Sequence, residues 1–303
     1  MIDEKTSVSE IMGRAYKNGI LIPAFNVAHL PMIKPIVDTL KEMRTFALVE
    51  VARPDVERFG AKSFQSVADE YGSLADRRFS RLHLDHIPVI DEDGKKVDWI
   101  ALIKMGLTLG YDSVMIDGSR LPLEENVAIT REVVELSHRY GRPVEAELGA
   151  VLGHEAGPLP PYEELFRSGR GFTDPEDAER FVRETGVDWL SVAIGNIHGA
   201  ISGVAKDKKK ISARLNIDHL KRINRLTKIP LVLHGGSGIP KGYVMEAVKN
   251  GITKMNIGTS IRQAYERSLL EKPDDVEAAQ EEVALEVKRL IEEYEVEGSW
   301  ERL

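Results

Sequence analysis

Short runs of β-branched and apolar residues alternate with longer amphipathic runs along this chain as far as about residue 270. A parallel strand buried on both faces is almost continuously hydrophobic, whereas the helix that crosses back over it carries a single apolar stripe, so the alternation predicts βα units feeding a parallel sheet. Eight strands are expected: ILIPAFNV (20–27), TFALVEV (45–51), RLHLDHI (81–87), DSVMIDG (112–118), PVEAELG (143–149), WLSVAIG (189–195), IPLVLHG (229–235) and ITKMNIG (252–258). In the helical run PLEENVAITREVVELSHRYG, the residues Val127, Ile129, Val133, Val134, Leu136 and Tyr140 form the stripe and Gly141 is the stop. A second helix is capped by Thr173 or Asp174, carries Pro175 in its first turn and ends at Gly186. A doubly wound open sheet has the same local signature, but eight units favour an α/β fold closed as a (β/α)8 TIM barrel. Beyond Tyr265 the sequence is charged and helical with no further strand. The expected organisation is a single barrel domain over 1–303, with 271–303 a C-terminal helical extension that covers the barrel or packs on another subunit.

The same strands end in residues that a buried core would not select. Asn26 ends the first, Asp85 and His86 the third, Asp117 with Ser119 the fourth, and Glu145 and Glu147 lie in the fifth. His198 follows the sixth, His234 ends the seventh, and Asn256 with Thr259 and Ser260 closes the eighth. In a parallel barrel these strand ends converge on one face, where active sites are assembled. Three imidazoles brought together there, His86, His198 and His234, form a typical catalytic zinc set, because three protein ligands leave a position open for water or substrate. His83 shares the strand face of Asp85 but sits lower, and is read as structural. Asp85 directly precedes a proposed ligand, so on a regular pleat it points to the opposite face unless the strand ends there. It either moves protons at a substrate hydroxyl or orients a histidine. The turns after strands seven and eight bring Ser237, Gly238, Gly258, Thr259 and Ser260 to the usual phosphate cradle of a barrel. The DEDG run at 91–94 lacks the glutamate spacing of a calcium loop and reads as a surface turn.

Composition narrows the chemistry. With no cysteine among 303 residues, neither a disulfide nor a thiolate site can form, so a metal must be held by His, Asp or Glu. A net charge of -8 and a single short basic run, KDKKK at 206–210, exclude nucleic acid as the main partner. The polar, acidic start MIDEKTSVSE is not a signal peptide, and no apolar run approaches the roughly 18 residues of a membrane span, so no membrane contact and a cytoplasmic location are expected.

The motifs PAFNV, LHLDH, SVMIDGS, VEAELG, FTDPEDAERFVRETGVDWLSVAIGNIHG, PLVLHGGSG and GITKMNIGTSIRQAY occur in the order seen in class II, zinc-dependent ketose-bisphosphate aldolases. The chain resembles that family from about residue 10 to 270. The resemblance implies a (β/α)8 barrel that reversibly cleaves fructose 1,6-bisphosphate or tagatose 1,6-bisphosphate to dihydroxyacetone phosphate and glyceraldehyde 3-phosphate. It implies His86, His198 and His234 as ligands of one Zn²⁺ per subunit, with Glu147 near an alternative metal position. Asp85 then handles the C4 hydroxyl proton, and Glu155 in GHEAG is the loop glutamate of proton transfer. Asn256 binds the ketose hydroxyls, while Asn26 and Asp117 line the pocket. Gly199, Gly235, Ser237, Gly258 and Thr259 hold the first phosphate beside a monovalent cation, Na⁺ or K⁺. Arg262 is the candidate for the second phosphate, across a subunit boundary of a homodimer or homotetramer.

Three departures bear on the substrate. The second strand runs on into VEVARPDVERFG, where many relatives have a serine-containing turn. The segment HGAISGVAKDKKKISARLN is longer and more basic than the family's usual HGVYK or HGAYK. The eighth strand ends NIGT, with glycine where aspartate, asparagine or alanine is usual. These leave open a metal-dependent aldolase or epimerase acting on another phosphorylated sugar. A non-catalytic barrel predicts loss of the ligands, which are all present.

Overall fold

Parallel strands cannot be joined by tight turns, and each strand here is followed by a crossover whose helix packs on the outside of the ring. The computed structural model describes residues 1–150, 161–197, 213–236 and 238–303. The strands are β1 (Ile22–Asn26), β2 (Ala47–Val51), β3 (Ser80–Pro88), β4 (Ser113–Asp117), β5 (Val144–Leu148), β6 (Trp189–Val192), β7 (Leu231–Leu233) and β8 (Ile252–Ile257). They pair in chain order and β8 returns to β1, so the sheet is a closed (β/α)8 barrel and not the open doubly wound alternative.

Local chemistry sets the helices. Asp174 is the cap of helix Pro175–Thr185, accepting from the N–H groups of Glu176 and Asp177, and Gly186 ends that helix in the left-handed region at φ 68°. Thr173 has a different task, because its hydroxyl donates to the Leu148 carbonyl and accepts from the Ala193 N–H, tying β5 to the end of β6. The helix between β4 and β5 stops at Arg139, so Tyr140 lies past the predicted stripe and is 52% exposed, while Val127, Val133, Val134 and Leu136 are buried.

Two apolar bodies stabilise the barrel. The larger fills the space between the outer faces of the strands and the surrounding helices. The smaller lies inside the ring at its N-terminal end, where Ile22, Ala24, Phe46, Leu48, Trp189 and Val232 pack against Val8, Ile11, Met12 and Ala15 of helix Val8–Asn18. Arg81 supports that plug from β3. It is 1% exposed, and its Nη2 donates to the carbonyls of Asp3, Glu4 and Thr6 at 3.2, 3.3 and 2.8 Å. The C-terminal helix Val276–Glu293 buries Ala279, Val283, Val287, Leu290 and Ile291 and lies on helices Thr259–Glu271 and Ile33–Glu42 of its own chain, so it covers the barrel. No described helix is long and apolar enough to cross a membrane.

Candidate metal centre and active site

The pleat rule sends neighbouring residues to opposite faces, yet Asp85 and His86 both reach the barrel interior. β3 does not end between them, since it continues to Pro88. The resolution is a β-bulge. Leu84 pairs with Val114 and Ile87 with Ile116, so three steps along β3 match two along β4, and His86 takes a left-handed φ of 35°. A non-glycine residue in that region costs on the order of 1–3 kcal/mol, which surrounding contacts must offset. Asn26 Nδ2 and Asn256 Nδ2 each donate to one Asp85 carboxylate oxygen at 3.0 Å, drawing β1 and β8 onto the bulge. Gly258 permits this approach: a Cβ there would stand 3.2 Å from both Cβ and Oδ1 of Asn26. The glycine of NIGT thus spares Asn26 a shift of a few tenths of an ångström.

His234, just beyond β7, meets His86 across the barrel mouth. His234 Nδ1 lies 2.6 Å from His86 Nε2 and 3.3 Å from Glu147 Oε2. The outer nitrogens are engaged separately, His86 Nδ1 with Asp117 Oδ2 at 3.3 Å and His234 Nε2 with Glu145 Oε1 at 2.8 Å. Carboxylates only accept, so each outer nitrogen is a donor, and with both rings neutral the inner nitrogens would turn lone pairs toward each other. Such a pair calls for a cation between its members, either a shared proton or a metal. Ligand atoms of Asp85, His86 and His234 lie within 4.8 Å of one another, as do those of His86, Asp117 and Glu147. Imidazole nitrogen with carboxylate oxygen suits Zn²⁺ and other first-row divalent ions.

Electrostatics follow from this crowding. Burial opposes the charge on Asp85, but His86, Lys254 and His234 outweigh it and hold the carboxyl down at about 2. Burial likewise opposes protonation of His86, yet Asp85, Asp117 and Glu147 push it up to about 10. For His234, burial and His86 act downward, and Glu145 with Glu147 raise it to about 9. Partial burial opposes the charge on Asp117 too, yet His86 and Ser119 keep it well below the usual carboxylate range.

One layer deeper lies a charged set, of which the sequence reading missed Glu50 and Lys254 and assigned Glu145 no role. Glu50, Glu145 and Lys254 have no exposed surface. Lys254 Nζ stands 2.9 Å from Glu145 Oε2 and 3.1 Å from Glu50 Oε2. Glu145 Oε2 also accepts from Trp189 Nε1 at 2.7 Å, and His83 Nε2 is 3.5 Å away. Burial would raise Glu145, but Lys254 and His234 hold it far below its ordinary range. Glu50 differs: it shares the ammonium, feels Asp85 as a like charge, and is pushed up to about 8, chiefly by burial. His83, read as structural, is fully buried with Nδ1 2.8 Å from Ser113 Oγ. Alternation was the available signal, since Glu50 stands two residues from Leu48, and Lys254 two from Asn256, on inward faces.

The remaining expected residues divide clearly. Asn26, Asp85, His86, Asp117, Glu147, His234 and Asn256 come together at the C-terminal ends of the strands. Gly235 follows His234 at φ 67°, and Gly258 and Thr259 open helix Thr259–Glu271 beside β8. Arg262 is 5% exposed, pairs with Glu266 and stacks over the Phe59 ring at 4.8 Å, while His29 Nε2 meets the other Glu266 oxygen at 3.0 Å. Glu155, His198, Gly199 and Ser237 lie outside the described residues.

A closed (β/α)8 barrel with imidazoles and carboxylates gathered at its C-terminal face defines the class of a barrel enzyme with a potential metal site. Residues 6–299 match the family model of class-II fructose-bisphosphate aldolase, and the chain belongs to that family. It is accordingly an aldolase, a lyase of the metal-dependent type that acts on small phosphorylated sugars. The structure is similar to that of the YdjI aldolase from Escherichia coli K12, with 26% identity, a TM-score of 0.76 and coverage of 97% of this chain and 98% of the other. It also has the fold of a fructose-bisphosphate aldolase from Campylobacter jejuni, with 22% identity, a TM-score of 0.73 and coverage of 97% and 96%.

Proposed function

We propose that the protein reversibly cleaves a ketose 1,6-bisphosphate, with fructose 1,6-bisphosphate as the first candidate and tagatose 1,6-bisphosphate as its alternative, to dihydroxyacetone phosphate and glyceraldehyde 3-phosphate, using Zn²⁺. The observation that carries this reading is the bulge that turns Asp85 and His86 inward together, toward His234. His86 and His234 would hold the ion with His198, and Glu147 offers an alternative oxygen 3.3 Å from His234 Nδ1. Bound zinc supplies Lewis acidity toward the ketose carbonyl and the negative charge that develops on cleavage. Asp85, held by two asparagine amides, is ionised and acceptor-only, which suits it to take the C4 hydroxyl proton and return it in the synthetic direction. Asn256 and Asn26 orient the sugar hydroxyls beside it. Gly258 and Thr259 offer backbone N–H groups at the start of helix Thr259–Glu271 for the nearer phosphate, with Gly235 in the turn after β7 beside them in the proposed cradle.

A lysine-based carbonyl mechanism finds no support at this level of the barrel. Lys254 is clamped between two carboxylates that raise its pKa further, so it lacks the neutral amine a Schiff base needs. The burial of Arg262 against Glu266 and Phe59 favours a second reading for the distal end, an aldolase acting on another phosphorylated sugar.

The test is cleavage of fructose and tagatose 1,6-bisphosphate side by side, before and after chelation, with metal content measured on the same sample. Activity abolished by chelation and restored by Zn²⁺ is expected. A fully zinc-loaded protein that cleaves neither bisphosphate but does cleave a ketose monophosphate would transfer the assignment to the second reading.

A further inference from the structure

We infer that Glu145 is a positioning residue: clamped by Lys254 and Trp189, it fixes His234 as the Nε2–H tautomer and thereby aims His234 Nδ1 at the metal. The inference rests on the metal reading above and concerns residues beneath the proposed ligands.

The argument is geometric. Glu145 has two oxygens, and the described donors within hydrogen-bond reach divide between them, with His83 Nε2 standing off at 3.5 Å from Oε2. Trp189 Nε1–H, which can only donate, takes Oε2 at 2.7 Å, and the Lys254 ammonium takes the same oxygen at 2.9 Å. Oε1 is left to His234 Nε2 at 2.8 Å. Glu147 Oε2 stands farther off, 3.3 Å from Nδ1, so a ring with a single proton carries it on Nε2 against the nearer carboxylate, and Nδ1 is then the ligand atom, 2.6 Å from His86 Nε2. His86 is set the other way round by Asp117, with Nδ1 as donor and Nε2 inward. The two ligands therefore meet through unlike nitrogens, each selected by a different carboxylate.

Rigidity separates the two carboxylates. Asp117 lies at the rim, where Ser119 Oγ and N–H both donate to its Oδ1. Glu145 has no exposed surface and is anchored from β6 by Trp189 and from β8 by Lys254, so its carboxylate plane cannot swing. Lys254 also offsets a negative charge that could not otherwise remain buried. A histidine held this way keeps its ring orientation before the ion arrives, which is how partners beyond the ligands raise metal affinity, by about 10–100-fold in comparable sites.

The experiment combines one measurement on the intact chain with two variants. In the zinc-loaded wild type carrying ¹⁵N-histidine, long-range ¹H–¹⁵N correlation should report His234 with its proton on Nε2 and His86 with its proton on Nδ1. In Glu145→Gln, folding checked by circular dichroism, zinc affinity by chelator competition should fall about 10–100-fold, and the visible spectrum of the Co²⁺-loaded protein should shift. Trp189→Phe, which removes one donor and keeps an aromatic, though smaller, ring, should lower affinity by a smaller factor and leave the spectrum nearer that of the wild type. A His234 proton on Nδ1 overturns the inference even if Glu145→Gln fails to fold, and so do two folded variants that bind zinc and Co²⁺ as the wild type does. Absence of zinc uptake by the wild type is a different result: it overturns the metal reading itself.

Discussion

At the N-terminal end of the barrel interior, Ile22, Ala24, Phe46, Leu48 and Val232 pack dry against helix Val8–Asn18, whereas one layer higher the same ring buries Glu50, His83, Asp85, Glu145 and Lys254. Both layers are equally inaccessible to water, so exposure does not distinguish them. What differs is how each satisfies its atoms. The lower layer needs only shape and area, and its cost of error is a cavity. The upper layer needs every charge matched to a partner, and its cost of error is an isolated ion. A barrel can thus carry stability at one end and chemistry at the other on the same strands, with Trp189 belonging to both: its ring packs below and its Nε1–H serves Glu145.

This division can be broken from either end. The largest effect is expected for His234→Ala, which should lower cleavage by at least about 10²-fold and abolish zinc binding while circular dichroism reports an intact barrel. Next is Lys254→Met, which strips the counter-charge from the buried, ionised Glu145 and should cost about 3–5 kcal/mol in urea denaturation, with zinc affinity falling in parallel. In the lower layer, Leu48→Ala should destabilise by about 2–5 kcal/mol and leave zinc stoichiometry and KM unchanged. Loss of zinc in that variant would mean that the two layers are not separable.

The smallest effect is a pH dependence. Burial lifts Glu50 from its ordinary value of 4.5 to about 8, so the folded chain keeps a proton that the unfolded chain releases between those values. Stability from this group is full below the unfolded value and is lost as pH rises through the folded one. Glu50→Gln, neutral throughout, should therefore gain on the wild type in urea midpoints near pH 8.5 and lose that advantage near pH 5. An equal difference at both pH values would contradict the assignment.

Much of the barrel and of its polar mouth was legible in the sequence, less of the charged layer beneath, and the exceptions have physical causes. The eight strands, the closing count and the polar strand ends come directly from periodicity, and Asp85 and His86 were identified by type and place. Their joint inward projection was not legible, because a bulge is a property of two strands: only the pairing of Leu84 with Val114 and Ile87 with Ile116 exposes the extra residue. Glu50 and Lys254 escaped notice because each sits singly in an apolar run, LVEV and ITKMNI, and a lone charge in a strand ordinarily marks a solvated face. The burial of Arg262 was equally hidden: Glu266 is its i+4 neighbour on the same helix, but Phe59, the ring that covers it, comes from a distant part of the chain.

Lys254 also ties the last strand of the barrel to two earlier ones. It lies on the last strand to be synthesised, while its partners Glu50 and Glu145 lie on β2 and β5. A nascent chain with seven strands in place has two carboxylates facing inward and no ammonium to meet them, so its interior must stay wet or take up protons. Drying the centre of the ring without stranding a buried charge therefore requires β8 in place.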